Sequence, residues 1–181
     1  MAIKNSKRLI IDASILQAAG ITEQPTSKQC RGVLRTVISV CHRAVLTPIL
    51  QDEWDKHAQR SAVAREWITA MQGRKEKLQN LTRFSHSLVQ PEVEILAIDP
   101  FIKRIILKDV HLVEAALSMD RIIISLDERA KHHFSSIVSN IPDLTKLMWV
   151  NPLRDENVID WLKQGAEPDK RRCLGFTDDE T

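Results

Sequence analysis

Four acidic residues occupy positions from which they could do chemistry together. Asp12 directly follows the apolar run Leu9-Ile10-Ile11, and Glu53 lies on the first turns of a helix expected after Val45-Leu46. Asp127 comes shortly after an apolar run that ends at Ile124. In an open parallel sheet the strand C-terminal ends share one edge, and sites form there where the strand order reverses. Three carboxylates distant in sequence can therefore converge. Asp109, on a helix leading into the strand that ends near Ser125, is a candidate fourth. Clustered carboxylates repel one another unless a cation neutralises them. A set of hard oxygen donors without cysteine suits Mg²⁺ or Mn²⁺. A pair of such ions about 3.5–4 Å apart stabilises the attacking and leaving oxygens of an in-line displacement. The chemistry expected is phosphodiester hydrolysis. The plainer alternative is that each acid caps a helix N-terminus, and it stands open for Asp109 above all.

The elements that must position these residues read as alternating short strands and helices. Arg8–Ile11 is a short apolar run suited to a strand buried on both faces. Ala13–Ala19 is expected to be helical and 22–27 a loop. The spacing of Val33, Val37 and Val40 predicts a helix over 28–44, and 44–47 a second strand. Thr47 then caps a helix with Pro48 at its first position. From Ile49 to about Leu81 the reading is helix, in one or two pieces, broken near Gly73. Ile95–Ile98 is the candidate third strand. Asp99-Pro100 opens a helix to about Leu107, and Asp109 begins another to Ser118. Arg121–Ser125 is the clearest strand, β-branched and apolar. Helix over 128–138, a last strand over 146–150 and a terminal helix over 155–164 complete the pattern. After Gly165 the composition shifts, and a mobile tail is expected. The alternation predicts an α/β three-layer sandwich with a mostly parallel sheet, as one domain over residues 1–150, with 151–181 a terminal helix and flexible tail.

Near the second acid, Asp52 and Asp55 compete with Glu53. Glu53 shares a helix face with Ile49 and Leu50, at i−4 and i−3, which are expected to point inward. Glu53 and His57, spaced i and i+4, with His132-His133, form the best rival, a zinc site. No HExxH supports it.

Composition removes other classes. The 181 residues, 43% hydrophobic and 28% charged, suit one globular domain. No apolar run reaches the roughly 18–20 residues of a membrane span. Asp12 interrupts the N-terminal apolar segment after three residues, so nothing marks export and a cytoplasmic location is expected. Cys30, Cys41 and Cys173 are widely spaced, without CxxC, and are expected to be idle thiols. With five glycines and no GxGxxG, GxxxxGK[ST] or GxSxG, dinucleotide binding, P-loop chemistry and a nucleophile elbow are set aside. A net charge of +2 permits a basic rim around an acidic pocket. Lys103, Arg104, Lys108, Arg129 and Lys131 are the candidates to hold phosphates, against the plainer reading of solvated helix faces. With 4% aromatic residues and no tyrosine, recognition by base stacking is not expected. Trp54, Trp67, Trp149 and Trp161 read as core or interface.

Leu-Ile-Ile-Asp12-Ala-Ser14, Thr47-Pro48-Ile-Leu-Gln-Asp-Glu53, Lys108-Asp109-Val-His-Leu-Val-Glu-Ala-Ala-Leu and Ile-Ile-Ser125-Leu-Asp127 together resemble the four motifs of the PIN-domain family. They stand in the family's order and span about residues 8–150. The resemblance implies a five-stranded parallel sheet flanked by helices. It implies Mg²⁺- or Mn²⁺-dependent RNA cleavage, commonly by the toxin half of a bacterial toxin–antitoxin pair. By that match Asp12, Glu53, Asp109 and Asp127 are the catalytic, metal-binding acids. Ser14 and Ser125 match the hydroxyl residues beside the first and last acids, which orient carboxylates. RNA, a protein antitoxin and a second copy of the chain are the implied partners. The chain departs from a minimal toxin in its length, over 58–88 and in the tail. A catalytically silent PIN-like module that binds RNA or protein, and an α/β protein whose acids only cap helices, are the alternatives.

Overall fold

The computed structural model describes residues 6–74, 77–82 and 89–177. Parts of the expected helical stretch, at 75–76 and 83–88, and the tail residues 178–181 lie outside the described residues.

Five strands form one sheet: β1 (Arg8–Ile11), β2 (Arg43–Leu46), β3 (Leu78–Asn80), β4 (Ile122–Ile124) and β5 (Met148–Val150), in the order β3-β2-β1-β4-β5. Every neighbouring pair is parallel. β1 is central, with Leu9 opposite Ala44 on one side and Ile10 opposite Ile123 on the other. Its three apolar residues and the three isoleucines of β4 are fully buried, as strands covered on both faces require.

Eight α-helices are described: α1 (Ala13–Ala18), α2 (Pro25–Ser39), α3 (Pro48–Ala58), α4 (Ala62–Gln72), α5 (Val89–Ile95), α6 (Pro100–Leu117), α7 (Glu128–Ser136) and α8 (Val158–Lys163). Right-handed crossovers send α1 to α4 to one face and α5 to α7 to the other. The packing agrees: α1 to α4 touch one another and α2 touches α8, whereas α6 packs on α5, α7, β1 and β4. The result is the expected three-layer α/β sandwich.

Several elements differ from the sequence reading. α2 begins at Pro25, inside the expected loop, with proline in the first turn where a missing N–H costs nothing. It stops before Cys41, whose φ of 66° is left-handed, rather than running to Ala44. The helix over 49–81 is two helices and a strand. The break falls at 59–61, where the Ser61 hydroxyl caps α4 through the Ala64 N–H, and Gly73 ends α4. The third strand is Leu78–Asn80, not Ile95–Ile98. α5 ends at Ile95, which is 83% exposed. The helix expected to start at Asp109 is the second half of α6, because no proline or glycine interrupts Pro100–Leu117. Arg121 takes a φ of 61° and turns the chain into β4 rather than belonging to it.

The stretch expected as a mobile tail is packed as far as Leu174. Cys173 bridges antiparallel to Met148, Leu174 is buried, and its N–H donates to the Leu147 carbonyl at 2.9 Å. The four tryptophans belong to the core, as expected. Trp54 and Trp67 meet edge to face at 5.3 Å. All three cysteines are free, and burial pushes the Cys30 thiol up to about 11.

Candidate active site

The strand order reverses at β1. The chain moves outward through β2 and β3, then returns through α5 and α6 to β4 on the other side. Above the C-terminal ends of β1 and β4 lies a cavity of about 220 Å³. Asp12, Glu53, Asp109 and Asp127 all line it, with Ser14 and Ser125.

Each acid arrives by a different route. Asp12 is the first residue after β1, and its N–H still continues the sheet to Ile124 O at 3.0 Å. It stands at the N-cap position of α1 but makes no side-chain capping bond. Its Oδ2 instead accepts the hydroxyls of Ser14 at 2.5 Å and Ser125 at 2.6 Å. Both serines are themselves fixed, since Ser14 Oγ accepts the Leu126 N–H and Ser125 Oγ the Asp127 N–H. Glu53 lies mid-helix on α3, which Thr47 caps through the Leu50 N–H. Trp54, fully buried beside it, donates from Nε1 to Ile11 O at 2.9 Å and so ties α3 to the end of β1. Of the two residues expected to mark Glu53's inward face, Leu50 is buried and Ile49 is exposed. Asp109 sits in the interior of α6, where there is no helix end to cap. Asp127 alone has the plainer role as well: its Oδ1 caps α7 through the Ala130 N–H at 2.8 Å.

Burial and the neighbouring charges act on two of the four acids, Glu53 and Asp109. Burial raises Glu53 above the usual carboxylate range, and Asp12 and Asp109 add to the rise against Lys108 and Lys56. Burial lifts Asp109 to about 6; Lys108 opposes this, and Asp127 and Asp12 reinforce it. The cavity thus holds four carboxylates against the two lysines in its wall, Lys56 and Lys108. That excess of negative charge, on carboxylate oxygens with His57 as the one imidazole in the described lining, fits a hard divalent cation. Among the described residues, however, no three Asp, Glu, His or Cys side chains stand at metal-ligand spacing. The acids ring the cavity rather than meeting at one point.

Sequence reasoning passed over Gln17, Lys56 and Trp149 as cavity residues and weighed His57 only for zinc. The i, i+4 spacing of Glu53 and His57 was the available signal for His57. His132 and His133 do not line the cavity. Trp149 Nε1 is fully buried without a hydrogen-bond acceptor among the described residues.

The five candidate phosphate-binding cations separate. Lys103 Nζ is spent on Glu94 O at 2.9 Å, and Lys131 pairs with Asp155 at 3.8 Å. Lys108 lines the cavity. Arg104 and Arg129 come together over the ring of Phe101, at 5.5 and 5.6 Å from its centroid.

No family model, no curated protein and no solved structure matches this chain. No helix among the described residues is long and apolar enough to cross a membrane.

Proposed function

We propose that the chain is a PIN-type endoribonuclease dependent on Mg²⁺ or Mn²⁺, with Asp12, Glu53, Asp109 and Asp127 as its acidic centre. One observation carries the reading. Four carboxylates from four elements line one cavity at the sheet's switch point, and three of them have no helix-capping role. RNA as the substrate comes from the resemblance of the four ordered motifs.

Each residue has a task on this reading. Ser14 and Ser125 hold Asp12 Oδ2, which fixes the carboxylate's rotation about its own torsions. Glu53 and Asp109, lifted by burial, carry the charge that draws in a cation. A bound Mg²⁺ or Mn²⁺ supplies Lewis acidity toward phosphodiester and water. Lys56 and Lys108 in the wall hold phosphate oxygens of the strand and keep it against the acids. A toxin role, with a protein antitoxin and a second copy of the chain as partners, belongs to the same reading. A silent binding module is the second reading, favoured by the absence of three converged ligands among the described residues.

The test is incubation of the purified protein with single-stranded and structured RNA in Mg²⁺, in Mn²⁺ and in chelator, alongside Asp12→Asn. Cleavage that requires both the metal and Asp12 is the expected result. Full activity in Asp12→Asn sinks the assignment. No cleavage under any condition, with no metal uptake by calorimetry, selects the silent module.

A further inference from the structure

α6 carries Phe101, Arg104 and Lys108 at i, i+3 and i+7, a spacing that places them on one helix face. With a rise of about 1.5 Å per residue the stripe is about 10 Å long. Its inner end, Lys108, is in the wall of the carboxylate cavity. Its outer end, Phe101, is 53% exposed. A phenylalanine left half in water calls for an explanation that its own helix does not provide.

Two guanidinium groups gather around that ring. Arg104 comes from the same helix, and Arg129 from α7, two residues after the cavity acid Asp127. Both arginines are exposed, and among the described residues neither makes an ion pair or a hydrogen bond; each lies over the ring. Asp99, which caps the same helix, has Oδ1 occupied by the N–H groups of Phe101 and Ile102. A cation over an aromatic face is stabilised by about 0.5–1 kcal/mol when exposed, and it leaves the guanidinium N–H edges free. The cluster therefore offers flat stacking surfaces together with unspent phosphate donors. An unpaired nucleotide presents the complementary pair, an aromatic base and an anionic phosphate.

We infer that Phe101, Arg104 and Arg129 form a docking site for an unpaired nucleotide of single-stranded RNA, which Lys108 continues into the carboxylate cavity. This rests on the ribonuclease reading for its choice of RNA. Composition argues against an extended stacking surface; one aromatic flanked by two arginines is enough for one base. Arg104 and Arg129 hold the flanking phosphates while the base lies against the ring and guanidinium planes. The base is held by stacking, so the site accepts any base rather than one sequence.

The experiment measures binding with chelator present, so cleavage plays no part. The probes are a fluorescein-labelled single-stranded RNA of about 12 nucleotides and an abasic oligomer of the same length, followed by anisotropy. Phe101→Ala is expected to weaken the base-containing RNA by about 5- to 100-fold and to leave the abasic oligomer unchanged, with Phe101→Trp restoring affinity. Arg104→Gln and Arg129→Gln weaken both probes, each lowering the slope of log affinity against log salt by about 1. Lys28→Gln, on a distant helix, changes neither. Phe101→Ala binding the RNA as the parent does, losing both probes equally, or a parent that binds neither probe overturns the proposal. A flat result here leaves Asp12-dependent cleavage standing, and absence of cleavage leaves this binding result standing.

Discussion

Ser125, fully buried at the end of β4, donates its hydroxyl to Asp12 Oδ2 across the sheet's switch point at 2.6 Å. Ser125 Oγ also accepts the Asp127 backbone N–H at 3.0 Å. One hydroxyl thus orients a carboxylate from β1 and also fixes the backbone that carries a second acid. Ser14 mirrors it, donating to Asp12 and accepting the Leu126 N–H. The two serines cross-link the loops after β1 and β4, and Asp12 is the point where both bonds meet.

Ser125→Ala leaves the Asp127 N–H without its acceptor and Asp12 with one donor in place of two. A lost partner of this kind costs about 1–3 kcal/mol, and each kcal/mol lowers the Tm of a chain this size by about 2–4 °C. If the acids bind a cation, Mg²⁺ affinity by calorimetry falls about 10- to 100-fold. A lowered Tm with unchanged Mg²⁺ affinity would show that the hydroxyl serves the fold alone.

The Asp109 carboxyl is raised from 3.8 to about 6, chiefly by burial. Between those values the folded chain keeps a proton that the unfolded chain has released. Folding stability due to this group is therefore full below 3.8 and declines as pH rises through about 6. Glu53, also raised, acts with the same sign. Asp109→Asn removes the decline at that position. Its Tm in chelator should exceed the parent's at pH 7 and approach it toward pH 3.8. Added Mg²⁺ should raise the parent's Tm at pH 7 more than the variant's. Thermal melts across that range decide it; a variant less stable than the parent at pH 7 contradicts the charge argument.

Leu174 closes the far edge of the sheet beside β5. Leu174→Ala removes a buried side chain and should cost about 2–5 kcal/mol, seen as a lower urea midpoint with the slope unchanged. A chain ending at Gly165 should also associate with rising concentration, because the β5 edge loses its cover. Equal urea midpoints for parent and Leu174→Ala would mean that the segment rests on the sheet without stabilising it.

The central strands were legible because burial on both faces leaves only apolar residues, as in Leu9-Ile10-Ile11 and Ile122–Ile124. Asp12 was legible for the same reason, since a charge ending such a run has to emerge at the sheet edge. β3 was not legible. Leu78-Gln79-Asn80 is a three-residue edge strand whose residues are at most half-buried, and it is defined by bonds to β2 rather than by an apolar pattern. Ile95–Ile98 looked more like a strand by composition, yet it lies where α5 turns toward α6 and finds no partner strand. The polar pair Lys108-Asp109 suggested a helix boundary. In the structure it is the polar side of one long helix, facing a cavity whose existence depends on β1 and β4. The Phe101 cluster needed α7 to bring Arg129 within reach of α6, which no local pattern reports.

Asp12 and Ser125 are 113 residues apart, yet one hydrogen bond joins them. The cavity therefore does not exist in any segment that lacks β4. On a ribosome extending at about 5–20 residues per second, roughly 6–23 s separate the synthesis of the first acid from that of its serine partner. Over that interval the growing chain carries first Asp12 alone and then Asp12 and Glu53, without the serine of β4 that orients the first. The centre is therefore incomplete until most of the chain has been made and β1 has paired with β4.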